Sequence, residues 1–274
     1  SSSGNGYLIK CVHEGVVFEL SCTHCFLCAG ATQTPQILHK SGIGNQVGNS
    51  FLLHPTIKVT ALFNEDVNHD GMGVPVHQVK EFAPRFSFGC SISTPPYLAM
   101  AMTDHPSSAH IVNSEWKKMA IYYAMTSASG KGAVKALPFF KDPTVQYYIT
   151  DQERRNLSDG LKKLCELLFA AGAVQLFASI AGSMPLRSLE DVHALPALIP
   201  HATSNLMTIH LFSSCPMGEN KKMCVTDSFG KLHGMEGLYI NDASLLPTAL
   251  SVNPQGTIMA IAMRNIHHFI KHRS

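Results

Sequence analysis

Apolar and polar positions alternate over the first thirty residues and again over 56–63, and from about residue 150 the spacing lengthens to that of a helix. Near the N-terminus the pattern predicts short strands at Tyr7–Val12, Val16–Leu20 and Cys22–Cys28, the first two joined as a hairpin by a turn at Glu14-Gly15. Gly30 ends the third strand, and without a Cβ it lets another backbone or a ligand come close. Thr34-Pro35 then opens a short helix through Leu38, with Pro35 suited to the first helical position, and Ser41-Gly-Ile-Gly44 stops it.

Thr56–Phe63 is β-branched and alternating, a strand, and further strands are expected at Arg85–Ile92, Tyr97–Met102 and Met119–Thr126. The composition from Ser87 to Tyr148 suits an antiparallel sheet. A helix begins at Thr150, where Thr150-x-x-Glu153 forms a capping box, and Leu157, Leu161, Leu164 and Leu168 fall on one face before Gly172 ends it. Residues 183–205, punctuated by Pro185, Pro196 and Pro200, read as loop with a short helix. A strand at Leu238–Asn241 precedes a last helix from about Pro254 to Phe269, with Asn253 at its cap.

At 274 residues with 45% hydrophobic and 15% charged content, the chain has ample length for one large domain or two modest ones. A net charge of +2 with scattered Lys and Arg gives no reason to expect nucleic acid or an anionic membrane as partner. The longest apolar stretch, Leu164 to Gly182, contains Glu166 and Gln175, so no membrane span is expected. Ser1-Ser-Ser-Gly-Asn-Gly6 is neither a start methionine nor a signal peptide, which suggests an internal fragment or a split gene product, soluble and of unassigned compartment. Cys22, Cys25 and Cys28 mimic an iron–sulfur run, but positions three apart along one strand face opposite sides, so buried reduced thiols are expected and no metal. The other five cysteines show no disulfide spacing.

Gly30-Ala-Thr-Gln-Thr-Pro-Gln-Ile-Leu-His-Lys-Ser-Gly-Ile-Gly44 is the most constrained motif. It is followed by Val47-Gly-Asn with His54-Pro55, Asp142-Pro-Thr-Val, His210 with Cys215-x-Met-Gly218, Asp242-Ala-Ser244 with Pro247, and Asn253-Pro-x-x-Thr257. In that order these motifs resemble the glucose–methanol–choline (GMC) oxidoreductase family over nearly the whole chain, most weakly over 65–125. The resemblance implies an α/β (α+β) fold: the C-terminal part of a Rossmann-like FAD-binding domain, carried by 1–55 and 201–274, and a substrate domain at 56–200 with a mostly antiparallel sheet and flanking helices. It also implies FAD as cofactor, a small-molecule alcohol as substrate, and oxidation by hydride transfer to flavin N5. His210 matches the family's catalytic histidine, a base for the hydroxyl proton, and Asn253 the second member of the pair, which orients the substrate oxygen. Gly30, Ala31, Asp242 and Ala243 would line the cofactor. So would the start of the last helix, Pro254, Gln255 and Thr257, whose free N–H groups favour negative charge.

Two departures qualify the resemblance. No G-x-G-x-x-G occurs, so the loop that cradles the FAD pyrophosphate is expected in a missing N-terminal half, on the same gene or a partner chain. Ser213-Ser214 stands where the family commonly has Gly-Thr, which bears on the shape of the turn before Cys215. Alternatives stay open: a lyase or decarboxylase on the same flavin scaffold, or an inactive truncated or assembly subunit.

Overall fold

The computed structural model describes residues 2–3 and 6–272. In chain order its elements are β1 (Ser2–Ser3), β2 (Gly6–His13), β3 (Val16–Cys22), β4 (Cys25–Leu27), α1 (Gly30–Lys40), β5 (Leu52–Leu53), β6 (Thr56–Phe63), β7 (Gln78–Val79), β8 (Ser87–Cys90), α2 (Pro95–Ala101) and α3 (Ile111–Glu115). There follow β9 (Met119–Met125), β10 (Lys131–Lys135), β11 (Thr144–Tyr148), α4 (Asp151–Ala170), β12 (Ala173–Ala178), α5 (Leu189–His193), β13 (Leu211–Phe212), β14 (Leu238–Ile240) and α6 (Gln255–His272). The fold is mixed α/β, and among the described residues the strands pair mainly antiparallel, with β14 and β4 parallel. Among the described residues no helix is long and apolar enough to cross a membrane.

The chain forms two compact units. One comprises Ser1–Leu53, Gly130–Tyr148 and His210–Ser274, the other His54–Ser129 and Ile149–Ile209. The domain limits read from the sequence shift in three places, the smallest moving His54 and Pro55 into the second unit. The β10–β11 hairpin belongs to the first unit, because Val134 N–H donates to Gly48 O at 2.8 Å and Gln36 Nε2 to Lys141 O at 2.5 Å. Residues 201–209 belong to the second, where Met207 N–H donates to Thr56 O at 2.9 Å and Ala181 N–H to Thr203 O at 2.7 Å.

The second unit is a five-stranded antiparallel sheet, β12-β6-β9-β8-β7, with α4 laid across one face. The leucine stripe Leu157, Leu161, Leu164 and Leu168 meets Ile57, Val59 and Ala61 of the sheet in one core. Gly160 sits mid-helix because a Cβ there would stand 3.2 Å from both Ala124 Cβ and Phe86 Cγ, so its absence brings helix and sheet close. The capping box is present: Glu153 N–H donates to Thr150 Oγ1 at 3.1 Å and Thr150 N–H to Glu153 Oε2 at 2.6 Å. Glu153 is fully buried, and its other oxygen accepts from Ser129 N–H at 2.8 Å. The expected strand at 97–102 is instead part of α2, because Pro95 and Pro96 occupy the first helical positions, where a missing N–H costs nothing.

The first unit is built from smaller pieces. β2 and β3 form the expected hairpin, with Glu14 (φ 49°) and Gly15 (φ 80°) both left-handed in its turn. The single strand read at 22–28 divides: Cys22 closes β3, while Cys25 opens β4, which pairs in parallel with β14. α1 begins at Gly30, four residues ahead of the Thr34 start, leaving Pro35 inside the helix. α6 begins at Gln255, so Pro254 rather than Asn253 holds the cap position, with its carbonyl accepting from Ile258 N–H at 2.9 Å. The inner side of α6 reaches β14 through Phe269, in edge contact with Tyr239, and Asn265, bonded to Asn241 at 3.2 Å.

Ser213, in the turn that leaves β13, keeps a left-handed backbone (φ 68°), the conformation that suits the glycine common at that position. Its hydroxyl is buried and has no hydrogen-bond partner among the described residues. Ser213→Gly should therefore raise stability by about 0.5–1 kcal/mol, the relief of backbone strain and of a desolvated hydroxyl exceeding the entropy glycine adds to the unfolded chain. A urea midpoint moving upward at unchanged slope is the expected readout. In α4, Leu161→Ala should cost about 2–5 kcal/mol through the cavity it opens and Thr150→Ala about 1 kcal/mol, an order that the same titration checks.

Candidate functional site

In the first unit, β4 and β14 run in parallel and end side by side. Cys25 N–H donates to Gly237 O at 2.8 Å at their starts, and Asn241 N–H to Leu27 O at 2.9 Å at their ends. The carboxyl ends of parallel strands are where α/β folds gather ligands, because the chain turns away there and leaves a crevice. Gly30 begins α1 just beyond one strand end and Asp242 follows the other.

Asp242 joins the two ends. Its Oδ2 accepts from Gly30 N–H at 2.9 Å and from the Thr34 hydroxyl at 2.5 Å, while Oδ1 accepts from Ser244 N–H at 2.8 Å and caps the short 3-10 turn Ala243–Leu245. Thr34 Oγ1 in turn accepts from Ala29 N–H at 3.1 Å. The carboxylate thus satisfies the Gly30 amide at the start of α1 and complements the helix dipole there. Gly30 has φ 83°, and a Cβ on it would meet nothing within 4 Å, so its outer flank is open. Ala31 differs: its methyl is buried with Phe51 and Val134, so only its backbone is left for a ligand.

The segment after β13 lies along the same turn. Ser213 N–H donates to Ala243 O at 3.3 Å, Cys215 N–H to Ser244 O at 3.0 Å, and Met217 N–H to Leu245 O at 3.0 Å. Gly48 N–H donates to Ser214 O at 2.7 Å and the Ser50 hydroxyl to Ser213 O at 2.6 Å, which fixes the turn from the other side. Burial, with the nearby Asp242 charge adding to it, pushes the Cys215 thiol up to about 12. It is a neutral packing group rather than a nucleophile.

His210 precedes β13 and is buried, 9% exposed. Desolvation lowers its pKa below the ordinary histidine value of 6.5, which favours a neutral imidazole at neutral pH. Asn253 lies in the same unit just ahead of α6, exposed, with Pro254 buried, Gln255 exposed and Thr257 half-buried behind it. The structure thus brings Gly30, Asp242 and Ala243 together, and ties the strand that follows His210 to them through Ser213. Thr34 is the residue whose role the sequence reading missed, since it looked like a helix start; Ser213 was singled out there as standing where glycine is common, which fits the left-handed backbone it keeps. His54 falls in the second unit, buried, its carbonyl accepting from the Thr56 hydroxyl at 3.0 Å.

Comparison with known proteins bears directly on these segments. A family profile described as GMC oxidoreductase matches residues 131–262. An uncharacterized GMC-type oxidoreductase, y4nJ of Sinorhizobium fredii, is 35% identical over 262 residues, covering 95% of this chain and 52% of the relative. Long-chain-alcohol oxidase FAO1 of Arabidopsis thaliana is 28% identical, over 85% of this chain and 33% of its own length. Among solved structures, pyridoxine 4-oxidase from Mesorbium loti matches with TM-score 0.71 at 17% identity, covering 100% of this chain and 56% of that one. Formate oxidase of Aspergillus oryzae matches with TM-score 0.66 at 15% identity, over 93% and 56%. These two likenesses establish the fold. The chain spans about half or less of the length of the curated relatives named here. Profile, relatives and fold agree: the chain belongs to the GMC oxidoreductase family and corresponds to the C-terminal portion of its members.

Proposed function

We propose that this chain forms the proton-handling part of an FAD-dependent enzyme that oxidises an alcohol. The observation that carries the reading is His210, a buried histidine that desolvation keeps neutral, within a chain of this family. A neutral imidazole is the form that can take a hydroxyl proton, and the lowered pKa keeps that form populated near pH 7 at some cost in basicity. Relatives named long-chain-alcohol oxidase and oxygen-dependent choline dehydrogenase support the substrate class.

The residues present suit the cofactor. The open flank of Gly30 at the carboxyl ends of β4 and β14 admits a ligand alongside the backbone, and Ala31 and Ala243 offer backbone groups beside it. Because the Gly30 amide is committed to Asp242, this helix start is not a phosphate cradle, and pyrophosphate would need other donors. When bound, FAD supplies the acceptor for the hydride leaving the alcohol carbon. His210 receives the hydroxyl proton on a ring nitrogen. Asn253 holds the substrate oxygen through its side-chain amide. Gln255 and Thr257, in the first turn of α6, present N–H groups and the positive end of the helix dipole to negative charge growing in the site. The units built around 1–53 with 210–274 and around 54–129 with 149–209 would serve as cofactor and substrate domains respectively.

In the flavin-loaded full-length protein, anaerobic addition of an alcohol should bleach the flavin absorbance. Bound flavin that no alcohol bleaches would overturn alcohol oxidation in favour of lyase or decarboxylase chemistry. His210→Gln should lower kcat/KM by about 10²–10⁴ and Asn253→Ala by about 10²–10³, with flavin content unchanged. Asn253→His should recover part of that loss, since either residue can hold the oxygen.

The pH dependence has a definite sign. Folded His210 resists protonation, so the acid limb of kcat/KM should fall below pH 6.5. The unfolded chain binds that proton more readily, so this contribution to stability is present above pH 6.5 and is lost as pH falls through the lower, folded value. Denaturant titration from pH 7.5 downward should show that fall, and His210→Gln should flatten it.

A further inference from the structure

The loop between β10 and β11 is apolar where a hairpin tip is ordinarily polar. The two strands close on the pair Lys135 and Thr144, and Ala136-Leu-Pro-Phe-Phe-Lys-Asp-Pro143 joins them. Phe139 is 106% exposed, Phe140 65% and Leu137 40%, so two aromatic rings and a leucine stand in water at the end of the hairpin. Phe139 also keeps a left-handed backbone (φ 66°), a conformation uncommon for a bulky residue and one that no packing of its ring offsets. The base of the loop is anchored: Gln36 Nε2 and Lys40 Nζ of α1 donate to Lys141 O at 2.5 Å and 3.1 Å. The tip is thus held at a fixed place on the first unit.

Basic side chains surround this apolar run. Lys135 and Lys141 flank it and Lys40 is bonded to its base. All three are exposed, and none enters an ion pair among the described residues. Asp142 is the single acid in the loop. The whole-chain charge of +2 conceals the cluster, because acidic residues elsewhere balance it. Size decides which partner fits. Two phenylalanines and a leucine bury at most about 500 Å², well short of the roughly 800 Å² on each side of a stable protein interface. A protruding tip also has no walls to receive a partner's side chains. A bilayer asks for neither: it yields to apolar side chains, and its anionic headgroups meet the lysines around them.

We infer that the β10–β11 tip docks this protein on an anionic lipid surface. Leu137, Phe139 and Phe140 enter the boundary between headgroups and acyl chains, while Lys40, Lys135 and Lys141 stay among the headgroups. The attachment is peripheral and reversible, since a few side chains give a weak hold and no helix among the described residues is long and apolar enough to cross a membrane. Such docking needs neither flavin nor alcohol, so it stands or falls apart from the proposed chemistry.

The test centrifuges the full-length protein with vesicles of phosphatidylcholine alone and of phosphatidylcholine with about 30% phosphatidylserine. Binding should be about tenfold tighter or more on the anionic vesicles and should weaken as salt rises from about 0.1 M to about 0.5 M. Phe139→Asn/Phe140→Ser should lower the partition coefficient by about tenfold or more, and Lys135→Gln/Lys141→Gln by about tenfold on the anionic vesicles. Asparagine suits the left-handed position, so the urea midpoint should hold or rise and the loss is not misfolding. Insertion itself is read with Phe140→Trp, whose indole brominated lipid should quench. The single natural tryptophan, Trp116 of the second unit, should stay unquenched in the unsubstituted protein. Failure of the unsubstituted protein to bind either vesicle overturns the inference. So does binding that survives the paired phenylalanine substitutions, or that leaves the indole at position 140 unquenched. If the protein instead doubles in mass and Phe139→Asn/Phe140→Ser restores the monomer, the tip is an interface between copies and lipid docking fails.

Discussion

The candidate site hangs on one carboxylate. Asp242 accepts from Gly30 N–H and the Thr34 hydroxyl through one oxygen and from Ser244 N–H through the other. Hydrogen bonds to a charged group contribute about 1.5–3 kcal/mol each, more than neutral ones, and here they bind segments more than 200 residues apart in sequence. The clasp has a chemical consequence as well as a structural one. It places a negative charge at the start of α1, where the dipole favours one, so that end of the helix has no further appetite for phosphate. The start of α1 is therefore already occupied by a carboxylate from within the chain.

From the clasp, order passes to the candidate base through backbone alone. Ser244 is held by Asp242, Cys215 is held by Ser244, and Ser213 is held by Ala243. His210 stands three residues before Ser213, at the mouth of a two-residue strand paired with β5. So short a strand would be a poor platform without that register, and a base must be held closely to act on a single proton. Burial does the rest, since the same packing that orders the strand removes water from the imidazole and lowers its pKa.

How much of this was legible depends on what kind of signal each residue leaves. The α4 helix was fully readable because three independent signals agree there: a capping box, a leucine period and a glycine stop. The β2–β3 hairpin was readable from Glu14-Gly15 in the same way. Tyr97–Met102 misled because a short apolar run suits strand and helix equally, and the prolines just before it decided the matter. Gly130–Tyr148 was placed with its sequence neighbours because nothing local reports that Val134 bonds to Gly48, a contact across many residues. The site divides likewise. His210, Asn253 and Asp242 were singled out through motifs that resemble the family's, but the partners of Asp242 were not. Thr34 served as a helix marker in sequence and as a clasp in space, and only the second role requires the fold.

The two units differ in how completely they enclose themselves. The second has five paired strands under a long helix, with a core in which Leu157, Leu161, Leu164 and Leu168 of α4 are essentially inaccessible. The first holds a three-stranded sheet, two-stranded pairs and a terminal helix, none of which alone has the two covered layers a stable domain needs. Every residue argued to handle a proton or a cofactor lies in that less enclosed unit. An electrostatic site works by fixed dipoles in a dry, rigid setting, and each water admitted at an open strand edge or helix flank weakens it. Holding Gly30, Asp242 and the turn at Ser213 in register therefore falls to a few hydrogen bonds within that unit, so that local order and chemistry draw on the same contacts.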